Sequence, residues 1–99
     1  MQDTKGAIAD YDKAILFNPN YADAYNNRGS AKLVLKDEKG AIADFDKAIE
    51  INPKFAMAYS NRGLAKISID QKDKGCADLR KAGELGLAKA FELIKKYCN

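Results

Sequence analysis

Residues 5–21 read KGAIADYDKAILFNPNY, and residues 39–55 read KGAIADFDKAIEINPKF. The two stretches start thirty-four positions apart and agree at 12 of 17 places, with Asn18-Pro19 returning as Asn52-Pro53. The segments that follow them, Ala22–Leu35 and Ala56–Ile69, agree at 8 of 14. In the second copy Ala41, Ile42, Phe45, Ala48 and Ile49 fall at i, i+1, i+4, i+7 and i+8, which gathers them on one face of a helix over 40–51. Asn-Pro ends that helix, because the proline ring pushes the residue before it out of the helical region. The same reading gives a helix over Thr4–Phe17, and the intervening segments carry Tyr, Gly, Ala and aliphatic residues at helical spacing. A glycine inside a helix costs about 1 kcal/mol relative to alanine. Gly29 and Gly63 nonetheless recur at one register, which predicts a point where a neighbouring helix comes close. Asp37-Glu38 and Asp70 to Asp73 read as short polar turns. Two helices per thirty-four residues describe a stacked array in which no unit buries its apolar face alone.

Ninety-nine residues allow one small domain, and an array of this size buries less per residue than a globule, so marginal stability is expected. No stretch is apolar for long enough to span a bilayer, and the N-terminus lacks a basic-then-apolar signal pattern, so no membrane partner is expected. The net charge of +3 is uneven. Residues 1–71 hold ten basic and ten acidic side chains, and 72–99 hold seven and four. So small an excess, interleaved with Asp and Glu, describes a solvated surface rather than a phosphate-binding track, and no nucleic-acid partner is expected.

The chain has no histidine, no clustered metal-ligand set, no glycine-rich phosphate loop and no nucleophile spaced against a base, so no enzymatic activity, cofactor or metal is expected. Asp10, Asp44 and Asp78 recur every thirty-four residues in helices that flank Arg28 and Arg62. This predicts ion pairs between helices, in which each arginine grips Asp44, Asp10 or Asp78 and fixes the angle between units. The alternative is that the two arginines bind an acidic ligand. Cys76 opens a helix ending near Leu85, and Cys98 closes a terminal helix over Ala88–Tyr97. If Gly86 turns the chain into an antiparallel pair, position 76 meets about 97, within reach of a disulfide. The alternative is two free thiols, as in a reducing cytosol. The cellular compartment follows that choice, cytoplasmic by default and extracytoplasmic if Cys76 and Cys98 are bridged.

These residues resemble the tetratricopeptide repeat (TPR) family, over nearly the whole chain. Tyr25 and Tyr59 match the aromatic at the family's fourth position, Gly29 and Gly63 the small residue at the eighth, and Ala31 and Ala65 the alanine at the tenth. Ala41, Phe45, Ala48 and Pro53 follow at the family's spacing in the second helix. Arg28 and Arg62 stand in place of the usual leucine at the seventh position, and Lys32 and Lys66 in place of an aromatic at the eleventh. Gly75-Cys76-Ala77-Asp78-Leu79 matches weakly, and Leu87 stands where proline is usual. The resemblance implies an all-α fold, a right-handed α–α superhelix of helix-turn-helix repeats with a C-terminal capping helix.

On that register the units are a half repeat over 1–21 (second helix only), full repeats over 22–55 and 56–87, and a capping helix over 88–99. In the cap, Phe91, Leu93, Ile94 and Tyr97 form an apolar side and Lys89, Glu92, Lys95 and Lys96 a charged one. Met1 falls at the end of an absent first helix. Either the chain is part of a longer protein, the preferred reading, with Met1 internal, or another chain supplies that helix.

The family's concave groove is lined by the first helices of its units. The resemblance therefore places there Asp23, Asn26, Asn27, Ser30, Leu33 and Val34, with Met57, Ser60, Asn61, Leu64, Ile67 and Ser68 as counterparts. Asn27 and Asn61 are candidates to bond the backbone of an extended peptide, or else to bridge within the array, and Leu33, Leu64, Ile67 and Met57 to form an apolar floor. Tyr25 and Tyr59 are read as packing residues. Chaperone-binding members hold a C-terminal carboxylate with lysines, an arginine and asparagines. Here the lysine positions hold Asn26 and Met57 and the arginine position Asn61, so only Asn27 fits. The expected function is thus a protein–protein interaction module, a scaffold that binds a neutral or mixed-polarity peptide or protein surface of unknown identity. The alternative is self-assembly: a homo-oligomer built head to tail through Ala7, Tyr11 and Ala14 on the unpaired first helix and the C-terminal helix.

Overall fold

The computed structural model describes residues 3–99; Met1, and the reading of it as an internal residue, lies outside them. Six helices and no strand occupy the described residues: α1 (Thr4–Phe17), α2 (Ala22–Val34), α3 (Glu38–Ile51), α4 (Ala56–Ser68), α5 (Lys72–Glu84) and α6 (Lys89–Tyr97). Each packs against the next in chain order, and α2 also touches α4, as stacked antiparallel pairs require. No helix among the described residues is long and apolar enough to cross a membrane.

The helix boundaries repeat with the sequence. Asp3 and Asp37 each accept from the backbone N–H three residues on, Gly6 at 2.9 Å and Gly40 at 3.0 Å, and so cap α1 and α3. Asp37 is therefore a cap, and Glu38 belongs to α3; Lys72 and Asp73 likewise lie inside α5 rather than in a turn. At the far ends, Asn18 and Asn52 turn their side-chain oxygens onto the N–H of Asn20 and Lys54, closing the Asn-Pro turns. The helices α2, α4 and α5 end on residues with left-handed backbone, Lys36, Asp70 and Gly86 (φ 65°, 64° and 101°). After each, a 6→1 bond returns to the helix, from Asp37 to Lys32, Gln71 to Lys66 and Leu87 to Ala82.

The core is small and built largely from alanine. Ala41, Phe45 and Ala65 form its centre, with Leu33 and Ile42 against them, and Phe45 is the largest fully buried side chain. Gly29 exists to admit that ring: a Cβ there would lie 2.6 Å from Phe45 Cε1. At Gly63 a Cβ would meet the Gly75 carbonyl oxygen at 2.7 Å, so α4 and α5 touch backbone to backbone. The α1 helix, by contrast, has no fully buried residue, and Ala7, Tyr11 and Ala14 remain partly exposed.

Candidate interaction surface

Two equivalent ion clusters set the geometry of the array. Arg28, on α2, donates from Nε and Nη2 to both oxygens of Asp44 on α3, at 2.9 and 2.7 Å. Its Nη1 reaches back to Asp12 on α1 at 2.8 Å. Thirty-four residues later, Arg62 grips Asp78 on α5 at 2.8 Å twice and Asp46 on α3 at 2.9 Å. Each arginine thus ties one helix to the helices on both sides. Lys32 and Lys66 add a second cation to Asp44 and Asp78, at 3.1 and 3.3 Å. The guanidinium carbons sit 5.4 and 5.3 Å from the ring centres of Tyr25 and Tyr59, so those tyrosines serve as packing platforms for the arginines.

Asp44 and Asp78 are 4% and 7% exposed, and at that burial an unpaired carboxylate would be strongly disfavoured. Hydrogen bonds to them raise the pKa of Arg28 and Arg62 above the ordinary guanidinium value, against desolvation, with lesser help from Asp12 and Asp46. A raised arginine pKa means the stabilisation is complete below the unfolded value and is lost only as strongly alkaline pH is approached. Over the physiological range both arginines stay charged.

One member of the expected ladder does not join it. Asp10 occupies the register of Asp44 and Asp78 but is exposed and pairs with no cation among the described residues. Asp44 and Asp78 receive the fork from the helix preceding their own. Among the described residues no helix precedes α1, so Asp10 has no arginine in reach. The backward contact comes instead from Asp12 and Asp46, two residues further along. These also recur at thirty-four residues, a periodic signal as strong as that of Asp10, Asp44 and Asp78.

The groove candidates divide into three groups. Asn26 and Ser60 are buried, at 7% and 1%. Asn61 donates to Asn26 Oδ1 at 3.0 Å and to Ser30 Oγ at 3.4 Å, so its amide nitrogen bridges α4 to α2. Leu33 is partly buried and packs against the core beneath. Asn27 is exposed, and Ser30, Met57, Leu64 and Ile67 are partly exposed. Asp23, Asn27, Ser30 and Val34 form a stripe along α2 at i, i+4, i+7 and i+11, and Met57, Asn61, Leu64 and Ser68 repeat it on α4.

Ser60 stands apart. Its Oγ is buried with no hydrogen-bond partner. Its counterpart in the preceding unit, Asn26, is satisfied by Asn61, while the residue at the same offset after Ser60 is Lys95. A buried unpaired hydroxyl costs more than the methyl that would replace it, so Ser60→Ala is expected to leave stability unchanged or raise it by up to about 1 kcal/mol. Urea unfolding checks this, and a clear loss of stability would mean that the hydroxyl is bonded.

At the C-terminal end Cys76, 4% exposed, is joined to Cys98 with their Cα atoms 5.9 Å apart. The bridge pins the tip of α6 to the first turns of α5. The cap begins at Lys89, one residue later than expected, and only Ala90 of its residues is fully buried; Phe91 is 57% exposed. Among the described residues no group of three or more histidine, cysteine or acidic side chains has a metal-binding arrangement.

The model described as tetratricopeptide repeat matches residues 22–55, and one described as TPR repeat matches residues 1–33. No curated protein matches the sequence. Among solved structures, the TPR domain of Arabidopsis OM64 is similar with a TM-score of 0.89 and 33% identity, over 94% of this chain and 78% of that one. The first TPR of Spaghetti (RPAP3), solved with the HSP90 peptide SRMEEVD, gives 0.90 at 27% identity, over 96% of this chain and 77% of its own. MamA gives 0.82 at 32%, over 90% of this chain and 52% of its own, so the chain spans about half of MamA. Thirty-four-residue helix pairs, glycine-mediated helix contacts and these likenesses agree: the chain belongs to the tetratricopeptide repeat family.

Proposed function

We propose that this protein is a recognition scaffold that binds an extended peptide or a segment of a protein surface along α2 and α4, without chemistry of its own. The observation that carries the reading is the pair of stripes on those helices. Asn27, Ser30, Met57 and Leu64 keep surface there, with Ile67 partly exposed beside them, while the glycine and arginine faces of the same helices are consumed by packing. A TPR domain of the same fold is solved with a peptide, which supports this use of the architecture.

The chemistry of the stripes selects the ligand. Neither carries a lysine or arginine, so a ligand held by its terminal carboxylate would find no cation. Asn61 spends its amide nitrogen on Asn26 and Ser30 and keeps its oxygen to accept a main-chain N–H. Asn27 offers both groups of its amide. Leu64, Ile67 and Met57 provide apolar contact between them. A neutral peptide with alternating apolar side chains fits this pattern. The joined Cys76 and Cys98 favour an oxidising, extracytoplasmic setting for the encounter.

Selection from a random twelve-residue peptide display library against the folded 99-residue protein tests the proposal. Recovered peptides are expected to be neutral and to bind Leu64→Asp at least about tenfold more weakly than wild type, a loss of one buried apolar anchor. The circular dichroism of the variant should match wild type, since Leu64 is only partly buried. Peptides that bind both proteins equally, or a selection that recovers none, would overturn the proposal.

A further inference from the structure

The two sulfurs of the α5–α6 bridge are unequal. Cys76 lies in the first turns of α5 and is 4% exposed, whereas Cys98, just past the last turn of α6, is partly exposed. A thiolate opens a disulfide by attacking one sulfur while the other leaves, so access selects the sulfur attacked. Here that sulfur is Cys98 Sγ, and the leaving group is Cys76. The surroundings of Cys76 suit a thiolate. Lys72 and Arg80 lie one turn to either side of it on α5, at i−4 and i+4, against one acid, Asp73 at i−3. Neither cation pairs with a carboxylate among the described residues. Cations close to a cysteine favour its thiolate, and a better thiolate leaves faster.

The entering side carries charge of the same sign. Lys95 is one turn before Cys98, at i−3, and Lys96 adjoins it. Both are exposed, and neither pairs with a carboxylate among the described residues. An incoming thiol that bears carboxylates is drawn to this end of the bridge rather than repelled.

We propose that Cys98 is a modification site for a small anionic thiol, which exchanges into the bridge and releases the cap. The thiolate attacks Cys98 Sγ, the bond between Cys76 and Cys98 breaks, and a mixed disulfide forms on Cys98. Cys76 keeps the electron pair as a thiolate. One disulfide replaces another, so no oxidant or reductant is consumed. The cap has little else to hold it: Ala90 is the one fully buried residue of α6, and Phe91, laid against Gly83, is 57% exposed. The bulk added to Cys98 keeps the last turn of α6 from settling back on Cys76.

The test treats the oxidised full chain with excess glutathione, quenches with acid and maps the adduct by mass spectrometry under non-reducing conditions. At least about tenfold more adduct is expected on Cys98 than on Cys76, the consequence of unequal access. Lys95→Ala should slow exchange with glutathione by about threefold, the scale of one exposed charge pair, and leave exchange with uncharged 2-mercaptoethanol unchanged. Helical circular dichroism of the modified protein should fall by no more than the share of α6. An adduct mainly on Cys76, no adduct at all, or equal slowing of both thiols by Lys95→Ala would overturn the proposal. So would loss of helix throughout the chain on modification, since the bridge would then hold the whole array rather than its cap.

Discussion

Arg62→Leu is expected to lower the unfolding free energy by about 3 kcal/mol, at the low end of the cost of breaking a buried ion pair. The cost lies mainly in Asp78, 7% exposed, which loses the two-pronged donor that justifies its burial. Lys66, at 3.3 Å, partly compensates and keeps the loss from being larger. In a domain of this size the change corresponds to a fall in Tm of roughly 12–24 °C. Arg62→Lys should recover only part of the loss, because an ammonium cannot occupy both carboxylate oxygens and reach Asp46 as the planar fork does. The double variant Arg62→Leu/Asp78→Leu should lie much closer to wild type than Arg62→Leu alone, since removing both charges abolishes the unpaired carboxylate. Thermal unfolding of the three variants checks this. Arg62→Leu with wild-type stability but no ligand binding would assign the arginines to ligand recognition instead.

Reduction of the Cys76–Cys98 bridge, or Cys98→Ser, should cost about 3 kcal/mol, the loop-closure entropy for a separation of this order. The partners are 22 residues apart, and the loop they close holds the whole α5–α6 turn. The effect should also be local. With a single fully buried residue, α6 has little else to hold it, so its amides should lose exchange protection on reduction while those of α2 to α4 keep theirs. Equal Tm with and without reductant, or two alkylated thiols in the native oxidised protein, would contradict the bridge as a structural element.

The sequence was an unusually full guide to the fold because the repeat made each helix a control for another. Pro19 and Pro53, Gly29 and Gly63, and Ala41 with Phe45 each had one role repeated, so the helices and their order could be read with ends off by one or two residues, except that α5 begins at Lys72 rather than at Cys76. The partners of Arg28 and Arg62 were half legible. Asp44 and Asp78 share a register with Asp10, but register cannot say that a carboxylate needs the helix before its own, which Asp10 lacks among the described residues. Asp12 and Asp46 recur just as faithfully and were hidden by the ordinary expectation that an exposed acid is only solvated.

The groove was the least legible part. Asn26, Ser60 and Leu33 lie on helices that border it, yet a difference of one position around the helix turns a side chain inward. Asn61 shows why composition alone misleads: its amide nitrogen is committed to Asn26 and Ser30, and only its oxygen remains for a ligand. That bridge depends on which residue of α2 lies opposite α4, which no periodicity reports.

The most direct test of the docking role is a ¹⁵N–¹H correlation spectrum of the full chain, titrated with a peptide recovered from the display library. Shifts concentrated at Asn27, Ser30, Asn61, Leu64 and Ile67, with α5 and α6 unmoved, are the predicted result. Shifts confined to α5 and α6, with those five amides unmoved, would contradict it.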